Sequence, residues 1–192
     1  ILIFAIPSAF LKGELDKITV DYTSKIIFSA IKGIIPESGL IVGQHFNEKL
    51  NIPIENIGVI TGPCHAEEVA MERLSYLTIA CQDTEKADLV GKYLSSDYIK
   101  TKTSDDIIGT EYAAMLKNIF AIAAGIAHGL GYGDNFQSVL MSNSIREMKR
   151  FIKKRHKMKR NINNSAYLGD LLVTGYSVFS RNRMFGNMIG KG

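Results

Sequence analysis

A chain of 192 residues, 46% hydrophobic and 22% charged, can bury one sizeable core or two smaller ones sharing an interface. That balance excludes a collagen-like or disordered chain, and two cysteines, Cys64 and Cys81, exclude a disulfide scaffold or zinc framework and favour a reducing compartment. The formal charge of +4 is uneven: eight Lys and Arg residues fall between Lys149 and Arg160, and 4 − 8 leaves −4 for the remainder.

Ile1–Ile6 reads as a strand ended by Pro7-Ser8, too short for a signal-peptide core and with no basic region before it. Opening on Ile-Leu-Ile-Phe-Ala without Met, and stopping at Gly190-Lys191-Gly192, the chain reads as having edges, not natural termini. Apolar residues at helical spacing (Ile18, Tyr22, Ile26, Ala30) predict a helix over Ile18–Ile31, and Leu40–Leu50 is a second candidate after the turn signals Pro36 and Gly39. Ile57–Ile60 reads as a strand running into Thr61-Gly62-Pro63, followed by a brief helix whose early acids, Glu67 and Glu68, suit the positive end of its dipole. Tyr76–Cys81 reads as a strand, Thr84–Leu94 as a helix and Tyr98–Thr103 as an alternating strand. Strands alternating with helices predict an α/β fold with a mostly parallel sheet.

From Ile107 onward only helical patterns appear: Glu111–Leu130, Asp134 to about Lys157, Ala166–Thr174 and Arg183–Ile189. A boundary near residue 105 therefore separates an α/β part, residues 1–105, from an all-helical part, residues 106–192. The longest apolar stretch, Ala113–Ala127, is interrupted by Lys117 and Asn118 and falls short of the roughly 18 residues that cross a bilayer.

Lys117 stands in the middle of that stretch. Lysine is rarely buried without a partner, and desolvation lowers its pKa, which lets an amine exchange a proton near neutral pH. The bland alternative is a side chain that snorkels to the surface. Gly62-Pro63-Cys64-His65-Ala66-Glu67-Glu68 follows a strand and opens a helix, where α/β folds place ligands. Adjacency of Cys64 and His65 does not make a nucleophile–base pair, since such partners converge in space. Asp170 and Thr174 share a helix face, and Arg181 offers a fork suited to phosphate beside Ser180 and Asn182; an ordinary capped helix with a basic start would look the same. Gly129-Leu-Gly131-Tyr-Gly133 follows a helix and lacks the third glycine of GxGxxG, so it reads as an interhelix turn with Asp134 or Asn135 capping the next helix. His45, His128 and His156 lack metal-ligand spacing. The basic block reads as a solvated helix face; a nucleic-acid surface is the alternative, weakened because only Phe151 is interleaved with it.

These segments, in this order, resemble the NAD(P)-dependent glycerol-3-phosphate dehydrogenases. The matching pieces are Ile6-Pro7-Ser8, Ile31-Lys32-Gly33, Gly62-Pro63 with Ala66-Glu67-Glu68-Val69, Leu116-Lys117-Asn118, Gly129 to Asn135, Gly169-Asp170-Leu171 and Ser180-Arg181-Asn182-Arg183. The resemblance implies the remainder of a Rossmann-type dinucleotide-binding domain over 1–105, then a helical substrate and catalytic domain over 106–192, incomplete at its end. It implies a catalytic set of Lys117, Asp170 and Lys32, with Lys117 as general acid/base. It implies substrate contacts at Lys32, Gly62, Cys64, Lys117, Asn118, Asp170, Thr174, Ser180, Arg181 and Asn182, and NAD or NADP contacts at Phe10, Lys32, Ala66 and Arg181. It further implies interconversion of sn-glycerol 3-phosphate and dihydroxyacetone phosphate, feeding phospholipid synthesis, in a cytoplasmic homodimer with no metal, no nucleic-acid partner and no membrane span. The family's glycine fingerprint is absent, so the resemblance places it before Ile1, with further helices beyond Gly192. Three features depart from the family: Cys64 stands where Ser, Thr or Asn is usual, Ala166-Tyr167-Leu168 where a glycine-rich run is common, and the block 149–160 is unusually basic.

Overall fold

A computed structural model describes all 192 residues. Five strands form one sheet: β1 (Leu2–Phe4), β2 (Ile27–Ser29), β5 (Ile57–Thr61), β6 (Ser75–Cys81) and β7 (Ile99–Ser104), in the order β1-β2-β5-β6-β7. All neighbours are parallel except β5 and β6. The two-stranded hairpin of β3 (Ile34–Ile35) and β4 (Leu40–Ile41) stands apart. Between the strands lie α1 (Ser8–Leu15), α2 (Val42–Leu50), α3 (Ala66–Ala70) and α4 (Thr84–Leu94). Every element after Ser104 is helical: α5 (Ile107–Gly129), α6 (Asp134–Arg155), a π-helical turn (Ser165–Gly169), α7 (Asp170–Tyr176) and α8 (Arg181–Lys191).

Three sequence expectations are corrected. Ile18–Ile31 is not a helix: α1 ends at Leu15, Asp21 folds a local turn by accepting from the amide and hydroxyl of Thr23, and Ile27-Phe28-Ser29 becomes a fully buried strand. A short apolar run buried on both faces shows no period that separates strand from helix, and the β-branched neighbours favour the strand. Leu40–Ile41 pairs with β3, so the second helix starts only at Val42. Neither Asp134 nor Asn135 caps α6; Gly133 is the cap residue and Asp134 lies in the first turn.

One apolar layer joins α1, β2 and α2 through Leu11, Ile27, Val42 and Phe46; on the other sheet face Phe28 and Ile79 pack against Ala87 and Val90 of α4. A third core gathers Leu116 and Phe120 of α5, Met148 and Ile152 of α6, and Leu171 of α7. By length and composition α5 could cross a membrane, yet 67% of its most apolar stretch is buried inside the protein, which is the position of a core helix. Its two ends are anchored differently. Near the start, both Glu111 carboxyl oxygens accept from the amide of Gly43 on α2, at 3.1 and 2.9 Å. Near the end, Gly125 and Gly129 meet Gly186 and Gly190 of α8 so closely that a Cβ on Gly125 would lie 2.9 Å from the Cα of Gly186. Only glycine allows backbones that close, and the approach fixes where α8 begins.

The basic block divides. Lys149, Arg150, Lys153, Lys154, Lys157 and Lys159 are exposed. Arg155, also exposed, lies 5.7 Å from the ring centre of Tyr112 and donates to its hydroxyl, whereas Arg160 turns inward to Asp106.

Candidate active site

The C-terminal ends of parallel strands β1 and β2 open onto a cleft of about 650 Å³. Ala5, Ile6 and Pro7 leave one strand into it, and Ala30, Ile31 and Lys32 leave the other. The far wall is helical: Lys117 and Asn118 from α5, Thr174 from α7, and Phe179 to Asn182 entering α8. Cys64, His65, Ala66 and Glu67 close the side.

Lys117 is 4% exposed and donates to Oδ1 of Asp170, itself 2% exposed, 53 residues away in the chain. Burial pulls the ammonium pKa down; the Asp170 carboxylate opposes this and Lys32 adds to it, leaving Lys117 lowered to about 8. The second Asp170 oxygen, Oδ2, is buried with no protein partner. Thr174 Oγ1 donates to the Asp170 carbonyl at 2.6 Å, so its hydroxyl braces the same turn. Asn118 bends back towards the carbonyl of Ala114, at 3.4 Å, on the helix that bears Lys117.

Ser180 caps α8, its Oγ accepting from the amide of Arg183 at 3.3 Å. Arg181 and Asn182 follow at the start of an eleven-residue helix, where unpaired amides and the dipole attract an anion. A permanent positive charge, an amide side chain and a helix N-terminus thus face an amine that can give up a proton.

Cys64 is partly buried, and burial raises its thiol pKa, so it stays protonated and carries no thiolate chemistry at neutral pH. His65 stacks obliquely on Phe179, with ring centres 6.5 Å apart. Lys32 is exposed at the mouth, and Ala66 opens α3. Three residues singled out from sequence do not line the cleft. Phe10 sits on α1, 63% exposed. Gly62 has φ +119° and a Cβ there would stand 2.8 Å from the carbonyl oxygen of Tyr76, so its glycine is demanded by strand packing. Asp170 lies behind Lys117 and reaches the cleft only through it.

Sequence reasoning missed Ala5, Ala30 and Phe179 as lining residues; His65 and Glu67 lie in the segment it read as ligand-facing, without an assigned contact. Small residues just after a strand were the available signal for the first two; Phe179 had none beyond proximity to Ser180.

Two models of one family match the chain: NAD-dependent glycerol-3-phosphate dehydrogenase N-terminus over residues 1–87, and C-terminus over residues 106–192. The chain belongs to the NAD-dependent glycerol-3-phosphate dehydrogenase family. Curated relatives named glycerol-3-phosphate dehydrogenase (NAD(P)+) include one from Exiguobacterium sp., 37% identical over 195 residues, covering 100% of this chain and 57% of the relative. Another, from Lacticaseibacillus paracasei, is 42% identical over 168 residues, 87% of this chain and 48% of the relative. The crystal structure of glycerol-3-phosphate dehydrogenase from Coxiella burnetii superposes with TM-score 0.88 at 27% identity, over 99% of this chain and 58% of that one. The chain therefore spans about half the length of such family members.

Proposed function

We propose that this chain supplies the proton-handling and substrate-holding part of an enzyme interconverting sn-glycerol 3-phosphate and dihydroxyacetone phosphate with NAD or NADP. The observation that carries this reading is the buried Lys117–Asp170 pair facing Arg181 and Asn182 across one cleft. Residues 1–105 form the C-terminal part of the dinucleotide-binding domain, and residues 106–192 belong to the helical substrate domain.

A doubly wound sheet binds its ligand outside the carboxyl ends of the strands, and Ala5, Ile6, Pro7 and Ala30 offer small and apolar surface at those ends. That surface fits the nicotinamide end of a dinucleotide; no GxGxxG follows a strand in residues 1–192 to take the pyrophosphate. Lys32 and Ala66, with Arg181 opposite, would hold it there. When bound, the dinucleotide supplies the hydride chemistry.

Lys117 delivers a proton to the C2 oxygen as the ketone is reduced and takes it back in the reverse direction. Its lowered pKa keeps both forms populated near neutrality, the condition for general acid/base exchange. Asp170 aims the amine. Arg181, Asn182 and the α8 amides hold the phosphate, and this remote grip aligns the carbonyl with Lys117. Cys64 and Asn118 contact the hydroxyl-bearing end, the first with a weak donor. The whole protein acts in the cytoplasm as a homodimer, supplying phospholipid synthesis.

The test is the whole protein containing this chain, assayed for dihydroxyacetone phosphate reduction beside a Lys117→Met variant. Turnover should fall by at least about a hundredfold in the variant. Near-native turnover there, or a preference for a hydroxyacid over the phosphorylated substrate, would reject the reading.

A further inference from the structure

Asp106 lies outside the cleft, at the cap of α5. Asp106 is 3% exposed and collects donors from three directions. Its Oδ1 accepts from the amide of Gly109 at 2.9 Å, which caps α5. Arg160 brings Nε to Oδ2 at 2.6 Å and Nη2 to Oδ1 at 3.0 Å. The hydroxyl of Tyr167, 3% exposed, donates to Oδ2 at 2.5 Å. Burial alone would raise the Asp106 pKa, but the bonds from Arg160 and Tyr167 outweigh it and hold the carboxyl below its usual range.

The two elements joined through this carboxylate are the two that carry the buried pair. α5 bears Lys117, and Tyr167 lies in the π turn that runs without a break into α7, where Gly169 keeps helical angles and Asp170 is the first residue. A π turn is rare and more loosely wound than its α-helical neighbours, and this one is held at both ends. Here Asn164 supplies one end, its carbonyl accepting from the amides of Tyr167 and Leu168, and the Tyr167 hydroxyl supplies the other. Both side-chain partners of Asp106 fall where the sequence departs from the family resemblance: Tyr167 in the usually glycine-rich run, Arg160 at the end of the basic block. A large side chain where glycine is common is accommodated because it acquires a partner for its hydroxyl.

We propose that Tyr167 is a positioning residue for the Lys117–Asp170 pair: anchored on Asp106, it fixes the turn from which Asp170 approaches the lysine. Arg160 orients Asp106 and neutralises its charge. The inference rests on the dehydrogenase reading for its kinetic consequence, and on geometry alone for its effect on the amine.

The decisive variant is Tyr167→Phe in the whole protein, which keeps the ring within the core and removes the hydroxyl. The first measurement is the pH midpoint for acylation of the Lys117 amine, read by mass spectrometry. Asp170 from α7 raises the lysine's proton affinity and Lys32 from the loop after β2 lowers it. Cys64, His65, Glu67 and Arg181 line the same cleft, and the substitution leaves all six unchanged. Loosening Asp170 should move the midpoint to lower pH by about half a unit, in the direction given by Asp170→Asn. kcat should fall roughly tenfold with KM changed less than about twofold, because the phosphate grip on α8 is untouched. Tyr112→Phe, which removes another buried tyrosine hydroxyl, should leave the midpoint in place. A wild-type midpoint and kcat in Tyr167→Phe, with only a lower Tm, would overturn the proposal. If that variant does not fold, Arg160→Lys should give a smaller shift in the same direction, and no shift there is equally fatal. A shifted midpoint alongside an active Lys117→Met variant would sink the dehydrogenase reading and leave the positioning role standing.

Discussion

Lys117 and Asp170 form a buried ion pair in which two influences act on the lysine's proton in opposite senses: burial works to strip it from the amine, and the Asp170 carboxylate works to keep it there. Asp170→Asn removes only the second influence. The lysine should then titrate below about 8, and the limb of the pH–rate profile set by Lys117 should move to lower pH, with turnover at neutrality reduced by about a hundredfold. A profile unmoved on the pH axis would show that Asp170 does not govern the amine.

The α5–α8 contact sets the other half of the site. A Cβ on Gly186 would strike the carbonyl oxygen of Ile122, and backbone cannot rotate aside as a side chain can. Gly186→Ala should cost about 1–3 kcal/mol or more in urea unfolding and raise KM for the phosphorylated substrate, because α8 carries Arg181. Gly13→Ala is the contrast. It lies in α1 with nothing within 4 Å of its added methyl, and should stabilise by about 0.5–1 kcal/mol.

Glu111 is fully enclosed, and burial drives its pKa from 4.5 up to about 8 despite the amides of Gly43 and Val42, which favour the anion. A carboxyl raised in the folded state stabilises the fold fully below its unfolded pKa and loses that contribution as pH rises through the folded value. Stability should therefore decline between about pH 4.5 and 8 through this group. Glu111→Gln keeps an acceptor for Gly43 and cannot ionise. Its advantage in Tm over wild type should grow across that window and level off above it; a constant difference at all pH values would contradict the burial argument.

Cys64→Ser exchanges a weak thiol donor for a hydroxyl in the same cleft position. Since the thiol is held protonated, no reactivity is lost. KM for glycerol 3-phosphate should drop about threefold or more, one added hydrogen bond being worth about 1 kcal/mol, with kcat nearly unchanged. An unchanged KM would place Cys64 outside contact with substrate.

Amino-acid order alone determined more of the helical half than of the sheet. Twelve apolar residues and a glycine around one lysine, over Ala113–Ala127, announce a buried helix and a costly amine, whatever surrounds them, because desolvating a charge is expensive in any fold. The short strands were harder. Ile27-Phe28-Ser29 is a strand because β1 and β5 flank it, and no local periodicity says so. Likewise Arg181 and Asn182 could be read as phosphate-binding residues, while the glycine-to-glycine approach that brings them opposite Lys117 depends on two helices about sixty residues apart. Tyr167, Arg160 and Asp106 look unrelated in the chain, and only packing converges them, since a buried carboxylate must find its donors in space. Residue chemistry is local and could be read directly; which groups meet is set by tertiary packing.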